Sequence, residues 1–282
     1  MRRSKRTLPS ALPGVLSVAV VLAVCVALAA KPSRAADEDL ISGIGLTHLT
    51  VYNQRPAPDG KMSGSPHIHA VTDEGYYVVS GKGSVELHDL ANGFRTVDLS
   101  PGRYVQFPPA VLHRLVNADS LVLLVVMGNA GLAERGDARI YFGPAVDDDP
   151  AEFARLTGLA RTMGLKGALD RRDAAVRAYA GLLELWTKDR AGYFRELERF
   201  IGVHMRSAQA LRPGFSEAVE AGPVAWGERF RKRLAQLPGT TAGESPVVHV
   251  PSDAPTLGMC GILRPVTKLE PVGPAKDAPI LK

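Results

Sequence analysis

Between Gly64 and Gly81 the chain reads GSPHIHAVTDEGYYVVSG, and three of its side chains suit chemistry: His67, His69 and Glu74. Along a β-strand, residues two apart point to the same face. His67 and His69 then aim their imidazoles at one point, and Ile68 points the other way. Glu74 heads the next apolar run, EGYYVVSG. If that run is the neighbouring antiparallel strand, Glu74 faces the same interior, with Tyr76 and Val78 on its side. Two imidazoles and a carboxylate suit a divalent transition metal. A fourth donor comes from PGRYVQFPPAVLHRLVN, where Pro108-Pro109 ends one strand and His113 starts the next. His113, Leu115 and Asn117 share a face, and alternation turns Arg114 away from it.

Such a cluster needs strands to hold it. From about Leu40 to Gly143 the chain offers IGLTHLTVYN, GYYVVSG, GSVELHD, FRTVDL, RYVQF, HRLVNA and SLVLLVVMG, punctuated by GKG, ANG, SPG and FPPA. Short β-branched and aromatic runs separated by Gly and Pro indicate a sandwich or small barrel. Residues 147–237 change period. An acidic turn and a proline open a helix at DDDPAEFARL. Val176, Tyr179, Leu183 and Trp186, then Phe194, Leu197, Phe200 and Ile201, recur at helical spacing. Trp186, Tyr193 and Phe200 read as packing residues, and VAWGERFRKRLAQL as a last helix. Residues 238–282, rich in Pro and Gly, read as an irregular tail.

Two spaced motifs resemble those of the cupin superfamily, G(x)5HxH(x)3–4E(x)6G and G(x)5PxG(x)2H(x)3N. Here the first is His67-x-His69, four residues, Glu74, six residues, Gly81, with Gly60 one residue farther out than the pattern asks. The second is Gly102, five residues, Pro108-x-Ala110, two residues, His113, three residues, Asn117, and Ala110 stands where the family has Gly. The resemblance covers residues 40–145. It implies a mainly β fold, the double-stranded β-helix of a cupin jelly-roll barrel, followed here by the helical C-terminal segment. It also implies one metal ion on His67, His69, Glu74 and His113. That ion is Fe, Mn, Ni, Co, Cu or Zn, with one or two coordination positions open.

Bulk properties narrow the setting. The net charge of +5 comes from residues 1–36, which hold six basic residues and no acids, so the rest carries 5 − 6 = −1. A near-neutral body excludes a nucleic-acid binder. MRRSKR, a long apolar run from Ala11 to Ala30 and SRAA before the first acid read as a secretory signal peptide or N-terminal membrane anchor. The body is then exported, whether periplasmic, extracellular or anchored facing outward. Of two cysteines, Cys25 lies in the leader, so Cys260 reads as a free thiol in a loose tail.

The first functional expectation is a metal-dependent, dioxygenase-like oxidoreductase for a small organic molecule, with Glu74 as ligand or general base. The alternatives are a non-catalytic small-molecule or sugar-binding module and a metal-dependent isomerase or lyase. Tyr76, Tyr104, Gln106 and Phe107 are candidate pocket walls. His48 reads as an exposed or satisfied strand residue, His88 as near a hairpin turn, His204 as a packing or surface residue of a helix, and His249 has no partner nearby. The helical segment has no assigned role and is a candidate homodimer surface.

Overall fold

The computed structural model describes residues 40–239, 246–251 and 254–272; the leader read at 1–36 lies outside them. Among the described residues no helix is long and apolar enough to cross a membrane.

The β-rich runs build one ten-stranded sheet. Its strands are β1 (Gly45–Val51), β2 (Met62–Ser63), β3 (His67–His69), β4 (Glu74–Asp89), β5 (Gly93–Leu99), β6 (Tyr104–Phe107), β7 (Leu112–Met127) and β8 (Ala138–Ile140), joined by two late strands described below. β4 and β7, each 16 residues long, pair antiparallel along most of their length. A register shift between Val78 and Gly83 bends β4, so one half also pairs β6 and the other β5. Gly81 sits at that bend with φ 79°, and a Cβ there would run into the carbonyls of Asp119 and Ser120. Bulges bend strands in this way and let one strand serve two pairings. β7 likewise pairs β1, β2 and β3. With the late strands β10 (Thr256–Leu257) and β11 (Gly261–Pro265), the hydrogen-bonded order β10-β11-β1-β7-β3-β8 does not return on itself, so the jelly-roll sheet is an unclosed one.

Alternation sorts the side chains. Leu49, Val51, Tyr76, Val78, Leu115 and Leu123 meet in one buried cluster between the strands. Ile68 and Leu112 point the other way and join Tyr141, Tyr179, Leu197 and Phe200 in a second cluster. That second cluster is where the helices dock. α1 (Pro144–Asp147) leads into α2 (Pro150–Lys188), α3 (Arg190–Gln209), α4 (Arg212–Val219) and α5 (Ala225–Ala235). Asp149 caps α2 by accepting from the Ala151 and Glu152 amides, with Pro150 in the first turn. The helix breaks at Gly164, whose φ is 59°.

Polar contacts fix the helices to the sheet. His88, fully buried at the end of β4, bonds the Tyr179 hydroxyl at 2.6 Å and the Tyr193 hydroxyl at 2.9 Å. The expected place near a hairpin turn is right, but the imidazole is sealed under α2 and α3. Arg114, also fully buried, pairs with Asp59 at 2.8 Å and Glu86 at 3.4 Å. Glu86 in turn takes bonds from Lys61 and Tyr179.

The region expected to be irregular contains structure. β10 (Thr256–Leu257) and β11 (Gly261–Pro265) extend the sheet, with β11 pairing β1 from Thr47 to Val51. β9 (Val247–His249) and β12 (Leu269–Pro271) form a separate two-stranded sheet. The reason is tertiary. The edge of β1 leaves backbone donors and acceptors unpaired, and a weak local preference yields to such a partner. Gly261 permits the approach, because a Cβ there would meet the Thr50 carbonyl.

Ala110, the residue that departs from the motif, has φ 65°. The left-handed region costs a residue with a Cβ about 1–2 kcal/mol. Ala110→Gly removes that strain and adds unfolded-state entropy, so it is expected to stabilise the protein by up to about 1 kcal/mol. Urea unfolding measures this; an unchanged or lower midpoint would show that the turn relieves the strain elsewhere.

Candidate metal centre

β3 has only three residues and lies between two neighbours, with His67 opposite His113 of β7 and Ile140 of β8. Both histidines of β3 are buried, at 4% and 5% exposure, and His113 and Glu74 are at 0% and 5%. The four ligating atoms lie within 4.8 Å of one another. His113 Nε2 is 3.0 Å from His67 Nε2 and 3.0 Å from a Glu74 oxygen, which is 3.2 Å from His69 Nε2.

The far side of each ring decides what faces inward. His67 Nδ1 is 3.0 Å from the Ser65 carbonyl, and His113 Nδ1 is 3.0 Å from the Val111 carbonyl. A carbonyl only accepts, so each Nδ1 carries the proton. His69 Nδ1 bonds the Asp137 carboxylate at 2.9 Å. In their neutral form the three rings turn Nε2 lone pairs inward, and Glu74 adds a carboxylate; with no ion present, His69 in its charged form donates Nε2–H to the Glu74 oxygen 3.2 Å away. Three imidazoles and a carboxylate that converge out of water are a set of groups a cation can share. The donor set fits a divalent metal ion, and the cluster can hold one.

Charge follows geometry. Burial works against His69's charged form, but the bonds to Asp137 and Glu74 outweigh it and raise the imidazole to about 9. Burial and the neighbouring His113 push His67 well below the usual range. Burial would raise Glu74, yet His113 and His69 outweigh it and hold the carboxyl well below normal.

The cluster opens on a cavity of about 210 Å³. Leu49 and Val125 form its sheet side, Ala133 and Ala138 one wall, and Met259, Cys260 and Leu263 the other. Cys260 is a correction to the sequence reading. It is 6% exposed, with its sulfur 3.7 Å from His67 Nε2. Burial raises its thiol well above the ordinary value. Gly64 lets this turn approach, since a Cβ there would strike the Cys260 backbone.

The four expected ligands converge; the expected pocket walls do not line the cavity. Phe107 packs on His113 with ring centroids 4.5 Å apart, and Tyr76 is fully buried in the core. Burial, with Glu74 and Cys260 nearby, raises the Tyr76 hydroxyl well above its usual value. Tyr104 and Gln106 are exposed and bond each other at 2.9 Å. Strand alternation explains the split, because 104 and 106 share the outer face of β6 and 107 takes the inner one. His48 is half-buried on the face of β1 opposite Leu49, and its Nδ1 is buried without a partner. His249 bonds the Lys268 carbonyl at 3.2 Å.

Asp137 is the functional residue that sequence reading missed. Besides His69, its carboxylate accepts from the Ala70 and Val71 amides. Its carbonyl takes a 2.6 Å bond from His204 of α3, which is buried and whose pKa burial lowers to about 4. Asp137 lies 68 residues from His69, and nothing local in ERGDARI marks it.

Residues 56–127 match the family model described as Cupin domain. Among solved structures, the chain is similar to an oxalate decarboxylase of Bacillus subtilis at 23% identity and TM-score 0.29, over 35% of this chain and 24% of that one. It is similar to QdtA, a sugar 3,4-ketoisomerase of Thermoanaerobacterium thermosaccharolyticum in complex with TDP, at 14% identity and TM-score 0.28, over 33% and 64%. A cupin protein of Bacteroides fragilis shares 20% identity at TM-score 0.23, over 31% and 65%. The chain thus spans less than two thirds of each of these proteins. No curated protein matches it.

Asp137 orients His69 without touching the ligand cluster's centre. Asp137→Ala is expected to weaken Zn(II) or Co(II) binding about 10- to 100-fold, with Asp137→Asn intermediate, as read by chelator competition. Protons should compete at His69. Its metal-free form is protonated below about 9, so affinity is expected to rise roughly tenfold per pH unit from 7 and level off near that value. Calorimetry in buffers of different ionisation enthalpy measures the released proton; a pH-independent affinity would remove His69 from the ligand set.

Proposed function

With a cupin domain at residues 56–127 as premise, we propose that the protein is a mononuclear metal-dependent oxidoreductase, dioxygenase-like, acting on a small organic molecule. The observation that carries this reading is the convergence of three imidazoles and a carboxylate, three of which, His67, His69 and Glu74, line a cavity. His67, His69, Glu74 and His113 hold the ion. A bound Fe, Mn, Ni, Co or Cu ion supplies Lewis-acid or redox chemistry at its open positions, and Zn only the former.

The chain's own groups do the rest. The Nδ1 bonds to Ser65, Val111 and Asp137 lock the three rings, so no reorganisation is needed when a ligand enters. Glu74, held ionised by His113 and His69, is a ligand first; its low pKa makes it a weak general base. Leu49, Val125 and Leu263 exclude water from the reacting face. The isomerase or lyase alternative loses its cations: Arg114 is committed to Asp59 and Glu86 on the other face, and Arg103 is exposed. Export rests on the leader pattern of residues 1–36.

The test is metal analysis of the purified protein beside the His67→Ala/His113→Ala double variant, followed by oxygen uptake with catechol and enol probes. Close to one equivalent of Fe, Mn, Ni, Co or Cu, lost in the variant, with oxygen consumed, is the expected result. Metal retention with the probes bound and recovered unchanged would overturn the oxidoreductase reading in favour of a binding module. No metal after reconstitution would overturn both.

A further inference from the structure

The last helix differs from the rest of the body in charge. The 11 residues of α5 hold Arg229, Arg231, Lys232 and Arg233 against one acid, Glu228, a net +3. Residues 37–282 together carry −1, so the body without α5 carries −1 − 3 = −4. Trp226, Phe230 and Leu234 follow one another at i+4 steps and form one ridge of the helix. Trp226 is buried and fastens α5 to the body, but the ridge then runs out into solvent. Phe230 is 48% exposed, Leu234 71%, and Leu237, just past the helix end, 64%. Arg229 lies over the Trp226 ring at 4.8 Å and Arg233 over the Phe230 ring at 6.0 Å. Arg231 and Lys232 are exposed, with Arg231 paired to Glu228 at 2.7 Å.

A row of exposed apolar side chains set among cations marks an interaction surface. The combination says what it meets. A nucleic acid would answer the arginines but not an aliphatic ridge. A bilayer with anionic headgroups answers both: the ridge enters the upper acyl region, and the basic side chains, extended along their own stems, meet the phosphates. The short turn Ile41–Gly43 packs on α5 and leaves Ile41 69% exposed, which adds another apolar side chain beside the helix. In sequence, only residues 37–40 separate that turn from the leader pattern of residues 1–36, so a leader kept as an anchor would tether the body at this end. We propose that α5 is an interfacial helix that lays Phe230, Leu234 and Leu237 on an anionic phospholipid surface, with its basic residues at the headgroups.

The test puts a reporter on the ridge of the full-length chain, Leu234→Trp, and follows its emission with phosphatidylcholine vesicles that contain or lack phosphatidylglycerol. The chain's own tryptophans are Trp186 and Trp226, and residues 1–36 have none, so insertion of the leader alone is silent. With phosphatidylglycerol the emission is expected to move to the blue and to be quenched by lipids brominated on their acyl chains. Adding Arg231→Glu/Lys232→Glu, at two exposed positions, is expected to raise the lipid needed for half the shift at least about tenfold. An unchanged urea midpoint shows that the variants fold. A shift of equal size without phosphatidylglycerol, or in the charge-reversed variant, overturns the assignment to an anionic surface. A blue shift that grows with protein concentration in the absence of lipid puts a second copy on the ridge, and no shift with any vesicle leaves the ridge in water; either result overturns the proposal.

Discussion

Two imidazole nitrogens 3.0 Å apart, on rings each held from the other side by a backbone carbonyl, are the constraint around which this molecule is arranged. Neutral imidazoles in solution would turn away from each other. Here the antiparallel register puts His67 opposite His113, and backbone carbonyls two residues before each ring fix the tautomer. Glu74 and His69 complete the group, 3.2 Å apart. Bringing four such groups together inside the sheet costs stability unless they pair with one another or with a cation. Such a site stays in place only when its frame is stiff, and that makes demands on the rest of the chain.

The frame is assembled from distant segments. β3 is too short to hold its own register and is fixed by β7 on one side and β8 on the other. The helices then hold the walls. His204 of α3 bonds the Asp137 carbonyl beneath one wall, and Arg171 of α2 bonds the Gly258 carbonyl behind the other. His88, between Tyr179 and Tyr193, anchors the same two helices near the far end of β4. The helical layer therefore acts on the site through positioning, although none of its side chains reaches the donor cluster.

How much of this was legible depends on sequence distance. The HxH spacing, the glutamate five residues on and the later histidine could be read because period-two alternation is a local rule. The helices could be read by period, and the turn of Arg114 away from His113 by alternation. The same rule puts Tyr104 and Gln106 on one face of β6 and Phe107 on the other. Two things could not be read. Asp137 had no local signal, its role being fixed by a partner 68 residues away. Cys260 looked like part of a loose tail because Pro and Gly dominate its surroundings, while the edge of β1 that orders it lies some two hundred residues earlier. A segment whose order comes from a sheet edge carries little of that order in its own composition.

This dependence on the last segment has a consequence for when the site exists. The four donors lie between residues 67 and 113 and are brought together by strands that precede the helices. The wall carrying Met259, Cys260 and Leu263 arrives only when β11 pairs β1, and Gly64 and Gly261 are the two positions where the absence of a Cβ lets that pairing close. The four donors thus come from the early strands, and the lining at Met259, Cys260 and Leu263 from the late segment, although both meet within one cavity.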